Sequence, residues 1–357
     1  MDHPYSNLPD RSFWRRSVAG VPAADVDPVG DFTLKIDEAT RVATAGSCFA
    51  QHIARHLKAS GYNYYVGEAG HPILPERARA ENGYGLFSCR YGNIYTARQL
   101  RQLFDRAYGR FTPQEDVWFK SADVVVDPFR PSAQPGGFIS ETEMRRDREQ
   151  HLAAVRKMFE TLDVFIFTLG LTECWRSKRD GAVFPVCPGV EGGTFDPDAH
   201  EFYNQSVEDV AQDFAAFRDA LAGINPGAQI ILTVSPVPLV ATAQAEEHVL
   251  SATTYSKSVL RVAADMLRRR LANVHYFPSF EIITGNFNRG RYYGEDLRNV
   301  TEPGVEHVMR TFMRHAAKPI GDQPTPARHE PDASEDYLKT SERVIDVECD
   351  EVALDRG

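Results

Sequence analysis

The residues with the sharpest chemical character are Gly46-Ser47-Cys48. They stand between an apolar run and a stretch that repeats Phe49, Ile53 and Leu57 at helical spacing. A strand, a glycine and a small nucleophile opening a helix make a turn that presents a side chain at the helix N-terminus. Unpaired N–H groups and the positive end of the dipole favour an anion there. For Cys48 that means a larger thiolate fraction and backbone N–H groups close to a developing oxyanion. The bland alternative is a small buried core cysteine behind a serine that caps the helix. A general base has to reach its nucleophile, and three of the eleven histidines are candidates. His248, after a buried strand, ranks first; His71, just before Pro72, and His307, among Val305, Val308 and Phe312, follow. Each of the three is otherwise an ordinary histidine with satisfied nitrogens.

Other polar groups carry weaker signals. Arg289, Arg291, Tyr292 and Tyr293 lie within Asn286–Gly294, just before Asp296. Arginine holds phosphate and aromatic rings stack on sugars, so Arg291 is a candidate substrate contact, with an exposed loop as the alternative. Lys257 is either a site cation or a solvated helix residue. His52 and His56 have the spacing of a two-histidine metal face, but no third ligand accompanies them, so no metal is expected. Arg268-Arg269-Arg270 ends a helix, where cations complement the dipole.

The elements that must position these groups alternate between strand and helix. Strand patterns cover Arg41–Ala45, Tyr62–Val66, Ala122–Val126, Val164–Gly170, Gln229–Val234 and Val274–Phe277. Helical patterns cover Phe49–Ala59, Thr96–Tyr108, Ser140 to about Thr161, Val207–Leu221, His248–Leu271 and Thr301–Arg314. Val164–Gly170 is apolar along almost its whole length, as central strands of parallel sheets are. The pattern predicts an α/β three-layer sandwich with a central parallel sheet. The expected domain covers residues 41–317, with Pro- and Gly-rich insertions at about 109–140 and 175–205. Residues 1–40 read as an arm packed on the domain, and residues 318–357 as a mobile acidic tail of net charge −6. Ligands of open parallel sheets bind beyond the carboxyl ends of the strands. Gly46-Ser47-Cys48, Gly170-Leu171-Thr172-Glu173, Ser235-Pro236-Val237-Pro238 and Pro278-Ser279-Phe280-Glu281 should therefore meet on one edge.

Composition bounds the function. The chain has 357 residues, 40 Lys plus Arg, 50 Asp plus Glu and a net charge of −10. That balance argues against a general nucleic-acid binder. No run approaches the ~18 apolar residues of a membrane helix, and the first residues lack the apolar core of a secretory signal. Five cysteines without paired spacing read as reduced thiols in a cytoplasmic protein.

Gly46-Ser47-Cys48-Phe49-Ala50 is the motif of the GSCFA family, which is similar to the SGNH/GDSL hydrolases. The resemblance continues through Gly92-Asn93-Ile94-Tyr95, Thr168–Glu173, Ser235-Pro236-Val237, Tyr255-Ser256-Lys257-Ser258 and Tyr276–Glu281, about residues 4–315 in all. It implies an SGNH/flavodoxin-like fold. On the GDSL pattern Cys48 matches the nucleophilic serine and Ser47 the acidic position. Gly170-Leu171-Thr172-Glu173 matches the Gly-x-Asn-Asp block, which brings Thr172 to the oxyanion-hole asparagine and Glu173 beside it. Gly92 matches the glycine that completes the hole. Where the superfamily has Asp-x-x-His, the chain reads Asp296-Leu297-Arg298-Asn299, and asparagine is no general base. The resemblance thus implies an acyl-ester hydrolase or acyltransferase with Cys48 as nucleophile, His248 as proton shuttle and Asp296 as its orienter. A carbohydrate or related small acceptor and a thioester donor such as acetyl-CoA are expected, with no bound cofactor and with no nucleic-acid or membrane partner. The rival expectation is a catalytically silent module that holds a glycan or nucleotide-linked ligand; the missing histidine favours it.

Overall fold

The computed structural model describes residues 3–318 and residue 354. The expected acidic tail lies outside the described residues, Lys318 and Leu354 apart.

The fold is α/β. Four parallel strands form the central sheet: β1 (Val42–Gly46), β4 (Val164–Leu169), β8 (Gln229–Val234) and β9 (Val274–Tyr276), in the spatial order β1-β4-β8-β9. Helices cover both faces. On one face lie α3 (Ala97–Ala107), α4 (Glu141–Thr161), α5 (Val207–Ala222) and α6 (Val249–Arg270); on the other lie α1 (Phe49–Ala59), α7 (Ser279–Thr284) and α8 (Glu302–Ala316). A short α2 spans Glu76–Glu81.

β4 explains the layering. Its side chains alternate between faces, and every one of its residues is buried. Phe165 and Phe167 join Phe104, Phe159, Phe214 and Phe217 on the first face. Val164 and Ile166 join Phe49, Ile53, Val308 and Phe312 on the second. A strand covered on both sides needs the near-continuous apolar run that the sequence has there.

The strand expected at Tyr62–Val66 is reduced to one parallel bridge on the outer side of β1, between Val42 and Tyr64. Val42 N donates to Asn63 O (3.0 Å) and Tyr65 N donates to Val42 O (2.8 Å). The ladder stops because the next rung is occupied: Thr44 N donates to Ser88 Oγ (3.0 Å), and the Tyr91 hydroxyl donates to Thr44 O.

The segment at 109–140 contains the antiparallel pair β2 (Trp118–Ser121) and β3 (Val124–Val126). Residues 173–204 form an antiparallel sheet of β5 (Glu173–Ser177), β6 (Val183–Phe184) and β7 (His200–Asn204), ordered β6-β5-β7. Near the N-terminus, residues 24–36 run along α8. Ile36 N donates to Ala316 O (2.7 Å), Lys318 N donates to Ile36 O (2.8 Å), and His315 Nε2 lies 2.7 Å from Asp27.

Candidate active site

The turn after β1 is forced by packing. Gly46 pairs with Thr168 of β4 and has φ of +138°. A Cβ on Gly46 would lie 2.4 Å from Thr168 O, 2.7 Å from Thr168 Cβ and 2.8 Å from Thr168 N. Only glycine fits there. The turn places Cys48 as the N-cap of α1, with no side-chain cap bond at that position. Ser47 therefore does not cap the helix; its hydroxyl is buried and has no hydrogen-bond partner among the described residues.

Cys48 is 8% exposed and lines a small cleft at the carboxyl ends of the strands. Ser47, Tyr95, Gly170, Ser235, Lys257 and Arg298 line it too, between the hydrocarbon of Leu171 and Leu239. Three of the four expected post-strand turns meet here, those after β1, β4 and β8. Tyr95 holds two of them: its carbonyl accepts from Gly170 N (2.9 Å) and Leu171 N (3.3 Å), and the neighbouring Ile94 N donates to Gly46 O (2.9 Å).

Lys257 lines the cleft and is not a solvated residue. It is buried on the inner face of α6, and its Nζ donates to Gly170 O at 2.6 Å. Arg298 reaches the cleft from the loop before α8, with Nε donating to Pro238 O (3.2 Å). That loop is shaped by Asp296, whose Oδ1 accepts from the N–H groups of Arg298 and Asn299, both at 3.1 Å. Asp296 is exposed and orients a turn, not a histidine.

The other expected contacts are held elsewhere. His248 is exposed at the N-cap of α6, its Nδ1 accepting from Leu250 N (3.1 Å); it does not line the Cys48 cleft. His71 turns its Nδ1 to Ile73 N (3.2 Å). His307 is buried with both nitrogens engaged, by the Tyr292 hydroxyl and by Val26 O, each at 2.8 Å. Thr172 spends its hydroxyl on Asn204 Oδ1 (2.6 Å) and its N–H on Ser256 Oγ (3.0 Å), so it has no donor left for an oxyanion. Gly92 makes a turn at φ +66° and does not line the cleft. Arg291 is exposed and donates to Asn288 O (3.1 Å). Glu173 accepts from Thr242 Oγ1 (2.7 Å) and Gln244 Nε2 (3.0 Å), which ties β5 to the loop after β8. His52 is pushed down to about 3 by burial, with Arg55 and His56 adding to the effect. Among the described residues no group of three or more His, Cys, Asp and Glu could hold a metal ion.

Residues 41–312 match the GSCFA family. The chain belongs to the GSCFA family. The matched span runs from the first residues of the central sheet through most of α8, and the GSCFA motif itself is the turn that carries Cys48. No curated protein matches the chain. In this member Asp296-Leu297-Arg298-Asn299 is a turn shaped by the aspartate, and it brings Arg298 to the cleft. Among the described residues no helix is long and apolar enough to cross a membrane.

Two of the polar cleft residues were hard to read from the sequence. Arg298 sits at a variable position of the tetrapeptide, where attention falls on the outer two residues. Tyr95 follows Asn93 and Ile94 in a segment without strand or helix period. Lys257 had a signal: a lysine on the otherwise buried side of a long amphipathic helix has to find a partner.

Proposed function

We propose that this GSCFA protein is an acyl-ester hydrolase or acyltransferase that works through Cys48 on a carbohydrate or related small acceptor. The observation that carries the reading is the company Cys48 keeps: a helix N-terminus behind it, and Lys257 and Arg298 lining the same cleft. Cations and a helix N-terminus both favour the thiolate. Positive charge from the same two side chains lies on the side of a developing oxyanion, in place of the Thr172 hydroxyl. In the proposed reaction the Cys48 sulfur bonds to the acyl carbon, and the bond to the leaving alkoxide or thiolate breaks. The leaving group takes a proton from solvent. Water or an acceptor hydroxyl then attacks the thioester, gives up its proton, and releases the Cys48 thiolate. A thioester donor such as an acyl-CoA suits this route, because exchange between two thioesters is near balance.

The free cysteines Cys48, Cys89, Cys174 and Cys187 fit a reducing, cytoplasmic setting. Burial raises the thiols of Cys89 and Cys187, the latter to about 11, and raises Cys174 to about 12 despite nearby arginines.

The test is a panel of acyl esters and thioesters offered to wild type, Cys48→Ser and Cys48→Ala. The expected result is turnover with wild type, a trapped acyl adduct of Cys48 by mass spectrometry, and no turnover with Cys48→Ala. Equal rates in wild type and Cys48→Ala remove the nucleophile. A second reading, a silent module that binds a glycan or nucleotide-linked ligand, is favoured by the absence of any histidine, among the described residues, from the lining of the cleft. It predicts slow alkylation of Cys48 at neutral pH and no acyl adduct, with ligand binding that depends on Arg298.

A further inference from the structure

Beside the Cys48 cleft lies a second and larger cavity, of about 280 Å³. Leu171 and Leu239 line both, so the two adjoin on opposite sides of these side chains. The cavity wall is chiefly hydrocarbon, sulfur and aromatic ring: Cys174 and Trp175 of β5, Val186 and Val190 after β6, and Ala241 after β8. Leu354 adds an aliphatic side chain to it from near the end of the chain. Among the described residues the one carboxylate in the wall, that of Glu173, is already held by Thr242 and Gln244. Apolar walls favour apolar ligands, and the volume corresponds to roughly nine water-sized groups at ~30 Å³ each.

We propose that this cavity receives the acyl chain of the substrate, and that the chain is a linear aliphatic one of medium length. The inference rests on the reading of Cys48 as acyl acceptor. With the acyl carbon at Cys48, the chain crosses Leu171 and Leu239 and ends against Trp175 and Val186. Lys257 and Arg298 stay at the polar head. An acetyl group would leave the cavity unused. Each added methylene should raise kcat/KM roughly fourfold, the ratio that burial of one CH₂ gives, until the cavity is full at on the order of eight carbons.

The experiment uses the full chain. First, kcat/KM is measured for p-nitrophenyl esters from acetate to laurate, with wild type and with Ala241→Phe. Ala241 is exposed at the cavity wall, so a phenyl ring there fills the space without entering the core. Second, binding of octanoate and of acetate to Cys48→Ala is measured by calorimetry. The expected results are a rising profile with an optimum near octanoate, a shift to short esters in Ala241→Phe with acetate turnover retained, and octanoate binding well above acetate that Ala241→Phe abolishes. A flat or falling profile in wild type, or an unchanged one in Ala241→Phe, overturns the cavity assignment while leaving Cys48 chemistry intact. No turnover of any ester, with octanoate binding that Ala241→Phe removes, overturns the chemistry and keeps the cavity. Octanoate binding no tighter than acetate overturns the cavity whatever the kinetics.

Discussion

Replacing Gly46 by alanine tests the geometric basis of the site. The added methyl would sit 2.4 Å from a carbonyl oxygen and 2.8 Å from an amide nitrogen of Thr168, in the middle of the β1–β4 pairing. These are backbone atoms of a buried strand and cannot swing aside. Overpacking of this kind costs ~1–3 kcal/mol, and the φ of +138° adds strain of about 1–3 kcal/mol for a residue with a Cβ. A loss of about 2–6 kcal/mol is expected. That is a large part of the ~5–15 kcal/mol that holds a typical domain together. Relief requires β1 and β4 to separate at the point where Cys48 is presented, so the thiol should lose its position as well. The assay is urea denaturation followed by circular dichroism, paired with the iodoacetamide rate at Cys48 read by peptide mapping. Gly30→Ala is the control: nothing lies within 4 Å of its Cβ, and its change should stay within ~0.5 kcal/mol. A Gly46→Ala protein as stable as Gly30→Ala, alkylated at the wild-type rate, would refute the claim that the turn is fixed by packing.

Further outcomes follow from the charges. Cys48 should react with iodoacetamide at neutral pH ahead of Cys89, Cys174 and Cys187, whose thiols burial raises. Lys257→Met should slow Cys48 labelling several-fold while shifting its pH profile upward; an unmoved profile would show that the lysine only props up Gly170. Asp127 is fully buried between Arg130 and Arg148, each at 3.0 Å. Burial alone would raise its carboxyl, but Arg130, Arg148 and Arg106 outweigh it and hold it well below the usual carboxylate range. Asp127→Asn removes the carboxylate those guanidinium groups share, although Arg130 keeps Asp147 and Arg148 keeps Asp116, so a drop of about 2–4 kcal/mol in unfolding free energy is expected; a drop under ~1 kcal/mol would contradict this. His307 is lowered by burial, although its bond to Val26 O opposes the shift. The unfolded chain takes up that proton near pH 6.5 and the native one does not. Stability from this group is therefore present above pH 6.5 and declines on acidification, by at most ~1.4 kcal/mol per pH unit. In His307→Phe the slope of stability against pH between 6.5 and 5 should shrink by that contribution.

The layering of the sheet was legible because its cause is local. An apolar run at Val164–Leu169 and amphipathic helices around it admit few arrangements. The turn at Cys48 was legible for the same reason, since glycine, nucleophile and helix start are adjacent. The strand at Tyr62–Val66 misled because its competitor lies elsewhere in the chain: Ser88 and Tyr91 take the groups of Thr44 that would have extended the ladder. The partners of Cys48 were illegible on the same grounds. Thr172 has the chemistry of a donor, but Asn204, on β7, uses it first. His248 follows the right strand, yet a local bond to Leu250 makes it a cap. Asp296 keeps a positioning task, though through two main-chain bonds that deliver a guanidinium and not an imidazole.

Two orphaned hydroxyls, Ser47 Oγ and Thr168 Oγ1, are buried around Gly46 without hydrogen-bond partners among the described residues. Stranding such a group costs ~1–3 kcal/mol, so alanine and valine in their places would make a sturdier fold. The molecule thus carries a weakness directly behind Cys48. Filling these two polar gaps would therefore trade flexibility for stability at the base of the Cys48 turn.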